Sequence, residues 1–183
     1  MKTVNDYFNL AKEIHYDNVK AGWWSKPRSK ECFYELFHSE LSEGFEGLRK
    51  GLNDTHLTQY PMFQVELADF VIRVMDYLGD VFSQIDGFPI QRCFNKAEQM
   101  FELLKDDDFE FLTELRWLLA ECHRFTFYQS EIENLVKAVR LCELYAQDDG
   151  WDIWVMIEEK RAYNRIRADH KLENRMKEGG KKF

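Results

Sequence analysis

Four carboxylates carry the chemistry that the sequence offers most plainly. Glu40 and Glu43 are spaced i,i+3 in HSELSEGFEGLRKG, and Glu66 and Asp69 repeat that spacing in VELADFVIRVMDYLGD. On a helix this spacing places both members of a pair on one face. Spacing alone does not single them out, because five acidic pairs at i,i+3 occur in the chain. Their setting does. Glu40 falls among Phe33, Leu36, Phe37 and Leu41, and Glu66 and Asp69 lie in a helix that is apolar around most of its girth. Withdrawing unpaired carboxylates from water costs several kcal/mol each, so such a cluster needs cations. Oxygen-only sets of Asp and Glu suit a hard divalent cation such as Mg²⁺, which binds through a few carboxylates together with phosphate oxygens. The competing reading turns Glu66 and Asp69 to solvent and lets Glu40 reach Arg49 or Arg73.

The elements that must position these groups are helices. Nine glycines and three prolines punctuate 183 residues, and the segments between them have helical rather than strand-like spacing. The sequence predicts an all-α single domain with helices at about 5–21, 29–50, 62–83, 89–104, 108–125, 130–147 and 151–168. Ser29 has the character of an N-cap, and Gly51 and Gly87 of helix stops. In helix 62–83 the residues Glu66, Asp69, Arg73, Asp76 and Asp80 form one narrow stripe that must face water or a polar cavity. Helix 151–168 starts an apolar face at Ile153 and Ile157 that Lys160, Asn164 and Arg167 continue in polar form.

Composition narrows the function classes. Hydrophobic residues at 45% and charged residues at 32% describe a globular chain. No long apolar run or signal-peptide core is present, so the expectation is a cytoplasmic protein without membrane association. The net charge is −8, yet residues 160 to 183 hold nine Lys and Arg against three acids, leaving −14 on the remainder. An acidic body argues against a general nucleic-acid binder, whereas the basic segment suits phosphates. Cys32, Cys93, Cys122 and Cys142 lack zinc-ligand spacing and read as reduced core thiols. Glu35 and His38 form an ExxH, but a di-iron bundle needs two such motifs and the chain has one.

The paired motifs resemble those of the MazG-like all-α nucleoside triphosphate pyrophosphohydrolases, the superfamily that includes dimeric dUTPases. The ExxE of Glu40 and Glu43 and the ExxD of Glu66 and Asp69 match the family's hallmark, as do GWW at 22–24, EEKRAYNRIR at 158–167 and GGKKF at the C-terminus. The resemblance covers about residues 5–82 and 151–183. It implies Mg²⁺-dependent hydrolysis of a nucleoside triphosphate to monophosphate and pyrophosphate, with Glu40, Glu43, Glu66 and Asp69 holding metal and serving catalysis. Lys160, Asn164 and Arg167 then contact substrate. Trp23 stacks on a base or staples its loop to the core, and Lys181 and Lys182 clamp phosphate or fray.

Residues 83–150 depart from compact members of that family and read as an inserted helical segment or a degenerate repeat. In the repeat alignment Glu40, Glu43 and Asp69 correspond to Leu119, Cys122 and Val136. The chain then either completes its bundle alone or pairs as a homodimer. Residues 169–183 read as a loosely ordered basic tail. From other classes, a catalytically silent helical scaffold and a nucleotide-binding sensor remain as alternatives.

Overall fold

A computed structural model describes residues 2–85, 88–124 and 128–177. The expected stop at Gly87, residue 125, GGKKF, Lys181 and Lys182 lie outside the described residues. Seven long helices follow in order: α1 (Val4–Lys20), α2 (Lys30–Lys50), α3 (Met62–Gln84), α4 (Ile90–Leu104), α5 (Asp108–Arg124), α6 (Tyr128–Asp148) and α7 (Ile153–Ile166). A 3₁₀ turn (Ala168–His170) and a short helix, α8 (Leu172–Arg175), close the described chain. The architecture is an all-α bundle, with no strand among the described residues beyond one isolated bridge between Asn53 and Pro61. None of these helices is long and apolar enough to cross a membrane.

Local chemistry sets the helix ends. Thr3 and Asp6 form a reciprocal capping box at the start of α1. The Ser29 hydroxyl accepts from the Cys32 N–H at the start of α2, and Gly51 ends that helix in the left-handed region at φ 62°. The ten residues from Gly51 to Tyr60 then reverse the chain. The Leu52 carbonyl accepts from the Met62 N–H at 2.9 Å, and the Asp54 carboxylate accepts from the N–H groups of His56 and Leu57 at 2.8 and 2.6 Å. This turn folds α3 back along α2 and sets the two acidic pairs face to face.

Helix α3 is the axis of the fold, packed by α1, α2, α6 and α7. Its apolar circumference is buried from Phe63 to Phe82, as its composition requires. Helix α7 is tied to α1 by Arg161, whose Nη2 lies 2.6 Å from Glu13 and 3.0 Å from Asp17. Helix α6 is tied to the first half by two buried carboxylates. Glu131 accepts from the hydroxyls of Tyr34 and Tyr77, both at 2.9 Å, and from Lys30 Nζ at 2.8 Å. Glu143 accepts from Tyr7 Oη, Trp154 Nε1, Arg140 Nη1 and the Lys2 N–H at 2.6 to 2.9 Å.

Helix α5 packs on α2, and α6 on α3, so the described residues of 83–150 are part of the same bundle as the acidic helices. Leu119, Cys122 and Val136 are buried in it. Cys93, Cys122 and Cys142 are buried free thiols, while Cys32 is half-buried at the start of α2. Residues 168–177 do not behave as the loose tail expected from sequence. The buried Arg175 lays its guanidinium 3.4 Å over the ring of Trp23, and its Nη1 donates to the Ala21 carbonyl at 3.3 Å.

The crossing of α1 and α3 depends on Gly79. A Cβ there would stand 2.3 Å from the Ala11 carbonyl oxygen and 2.5 Å from His15 Cβ. Alanine gains about 1 kcal/mol of helix propensity over glycine, but overpacking against backbone costs about 1–3 kcal/mol or more. Gly79→Ala is therefore expected to lower unfolding free energy by about 1–2 kcal/mol, measured as an earlier urea midpoint with an unchanged slope. A midpoint at or above that of the wild type would mean that α1 and α3 do not cross this closely.

Candidate active site

The antiparallel pairing of α2 and α3 brings Glu40, Glu43 and Glu66 together. One carboxylate oxygen from each lies within 4.8 Å of the others. Glu40 and Glu66 are only 4% and 6% exposed, whereas Glu43 reaches solvent. Burial, and then the negative charge of Asp69, push the Glu66 carboxyl up to about 9, with a hydrogen bond to Glu40 adding to the shift. This donor set is all oxygen and partly open, with Glu43 exposed beside two buried carboxyls. Those properties fit a hard divalent cation.

Two cations already touch the acidic groups. Arg73 Nε donates to Glu40 Oε1 at 2.5 Å, which is the partner that the competing sequence reading gave Glu40. The rest of that reading fails for Glu66, which is buried rather than turned to solvent. Asp69 stands outside the three-glutamate group and binds Lys160 Nζ at 2.9 Å. Lys160 is 2% exposed. Burial works against its ammonium, but Asp69, Glu66 and Asp54 outweigh that effect and raise its pKa above the usual value.

These groups line one cleft of about 440 Å³ between α2, α3, α7 and the loops that precede α2 and α3. Asn164 follows Lys160 along α7, Arg167 caps the end of that helix, and both reach the same space. The Asn164 Oδ1 is buried without a hydrogen-bond partner. Trp23 also lines the cleft, but Arg175 covers its ring and His170 meets it edge to face at 5.1 Å. In this arrangement the stacking partner of Trp23 is the chain's own C-terminal segment.

Further lining residues were not singled out from sequence. Asp54 enters through its turn, where a carboxylate followed by two backbone donors is a local signal that DTHL carries. Asp76 was visible on the polar stripe of α3, although its partners were not. It accepts from Trp24 Nε1 at 2.9 Å and bonds His15 Nδ1 at 3.1 Å. Arg28, in the loop SKPRS, has no periodicity that could have marked it.

The fold and site thus define an all-α protein with a carboxylate-lined cleft. In comparisons with family models, curated proteins and solved structures, no match to this chain is found.

The Glu66 shift has a sign that can be measured. A carboxyl raised from 4.5 in the unfolded chain to about 9 in the fold binds more protons when folded. Its stabilising contribution is present below about pH 4.5 and is lost as pH rises toward about 9. In chelator, the melting temperature of wild type relative to Glu66→Gln should fall steadily between about pH 5 and pH 9. Parallel profiles for the two proteins would mean that Glu66 is not held protonated by its neighbours.

Proposed function

We propose that the protein is a Mg²⁺-dependent nucleoside triphosphate pyrophosphohydrolase of MazG-like type, which converts an NTP or dNTP to the monophosphate and pyrophosphate. The observation that carries this reading is the convergence of Glu40, Glu43 and Glu66 within 4.8 Å, beside an Asp69–Lys160 ion pair and an unpartnered Asn164 Oδ1 in one cleft. The resemblance of the paired ExxE and ExxD motifs supports it independently of the geometry.

Glu40, Glu43 and Glu66 would hold the cation, and Asp69, which lines the same cleft, would be a further ligand on release from Lys160. When bound, Mg²⁺ supplies positive charge to the phosphate oxygens and makes an adjacent water more acidic. Lys160 and Arg167 oppose the remaining charge on the phosphates. A cluster carboxylate takes the proton of the attacking water. The water oxygen bonds to a phosphorus of the α,β-anhydride as the bridging P–O bond breaks, and the departing phosphate group keeps the electron pair. The Asn164 Oδ1 accepts a hydrogen bond from the bound nucleotide and so gains the partner that it lacks.

A silent scaffold is favoured by a different observation, namely that Arg73 and Lys160 already neutralise two of the acids. The two readings separate in one assay. Incubation with each common NTP and dNTP, with and without Mg²⁺, is expected to release equal amounts of monophosphate and pyrophosphate from at least one nucleotide. That turnover should require Mg²⁺ and drop below detection in Glu43→Gln and Asp69→Asn. A folded wild type that binds no Mg²⁺ and cleaves none of these nucleotides would leave the scaffold standing.

A further inference from the structure

The cleft has a second pole, away from the acidic cluster. Along α3, Asp76 lies seven residues beyond Asp69, about 10 Å at 1.5 Å per residue. Arg28 lines the cleft wall within the electrostatic reach of Asp76, Arg73 and Arg175. Its guanidinium lies over the rings of Phe33 and Trp24 at 4.2 and 5.0 Å. Its Nε and Nη2 are withdrawn from water and make no hydrogen bond. Asp76 favours the Arg28 charge through space, but its oxygens accept from Trp24 Nε1 and meet His15, and neither Nε nor Nη2 of Arg28 bonds to them. Burial lowers the pKa of Arg28; Asp76 opposes that shift, and the like charges of Arg73 and Arg175 add to it.

A guanidinium in this state has aromatic faces beside it and a carboxylate within electrostatic reach, but two of its donors are unused. Its Nε and Nη2 donors form a parallel fork, which matches two oxygens of one phosphate. A neutral base edge could accept from the fork but would bring no negative charge to a guanidinium with other arginines nearby. An oxyanion supplies both the acceptors and the charge. No hydrogen bond of Nε or Nη2 has to break for the side chain to swing from its aromatic seat toward an entering ligand. Resting on the pyrophosphohydrolase reading above, we propose that Arg28 binds the terminal phosphate of the substrate and so makes the cleft selective for the full length of the triphosphate chain.

The test is calorimetric binding to the full chain in Mg²⁺. The probes are α,β-imido triphosphates of the common nucleosides, which resist cleavage at that linkage, and the matching monophosphates. Arg28→Gln should weaken triphosphate binding about tenfold to a hundredfold, the range for a lost hydrogen bond to a charged group, and leave monophosphate binding unchanged. Arg28→Lys should recover part of the loss, since it restores the charge without the fork.

Equal weakening of triphosphate and monophosphate would overturn the proposal, as would no change in either. If natural nucleotides are still cleaved in a Glu43- and Asp69-dependent manner in those cases, the hydrolase reading survives without Arg28. Arg28-dependent triphosphate binding without any turnover would support the phosphate contact and overturn the hydrolase. A wild type that binds none of the triphosphates would overturn both.

Discussion

Mutual repulsion among buried carboxylates is the constraint around which this bundle is arranged. Helices α2 and α3 could pack on their apolar faces alone, yet they do so with Glu40, Glu43 and Glu66 in one group and Asp69 beside it. Such a group opposes folding until positive charge approaches. Arg73 comes from the same stripe of α3, and Lys160 from α7, which packs along α3. The placement of α7, and through Arg161 its attachment to α1, is thus linked to the electrostatics of the cleft. Burial first, and then the adjacent acids, keep the Glu66 carboxyl raised despite these cations.

Two of the bundle's other buried acids show what complete compensation looks like. Glu131 has two tyrosine hydroxyls and a lysine, and Glu143 has four donors that include Arg140. Both join the α4–α6 half to the first half, and neither lines the cleft. Buried acids with full hydrogen bonding hold the two halves in register. Glu66 sits instead where its neighbours are themselves acidic, in a group of three carboxylates that could hold a cation.

Much of this organisation was legible in sequence. Each described end of the seven long helices falls within two residues of its expected position, because apolar spacing, Ser29 and Gly51 act locally. The polar stripe of α3 was legible for the same reason, and its Glu66 and Asp69 do reach the cleft. The choice of partners was not. Whether Asp69 joins the three glutamates or binds Lys160 depends on how α7 is placed, more than ninety residues away in the chain. Arg28 and the Trp24–Asp76–His15 contacts involve loop residues with no period, and the folding back of residues 168–177 over Trp23 brings Arg175 and His170 against one ring. A segment rich in Lys, Arg and Glu carries no apolar pattern from which that contact could be read.

The position of residues 83–150 bears on why the acidic group occurs on one side of the bundle. If α5 and α6 descend from copies of α2 and α3, the counterparts of Glu40, Glu43 and Asp69 are Leu119, Cys122 and Val136, all within the core. A second carboxylate group at those positions would need a second set of cations and a second opening to solvent. Apolar residues remove that need and let α5 and α6 cover α2 and α3 from behind. Tyr34 and Tyr77 illustrate the division. Each stands on a helix that also carries cleft carboxylates, yet each donates to Glu131 on α6. One pair of helices therefore presents acids on one side and structural donors on the other, which ties the geometry of the cleft to the packing of the half behind it.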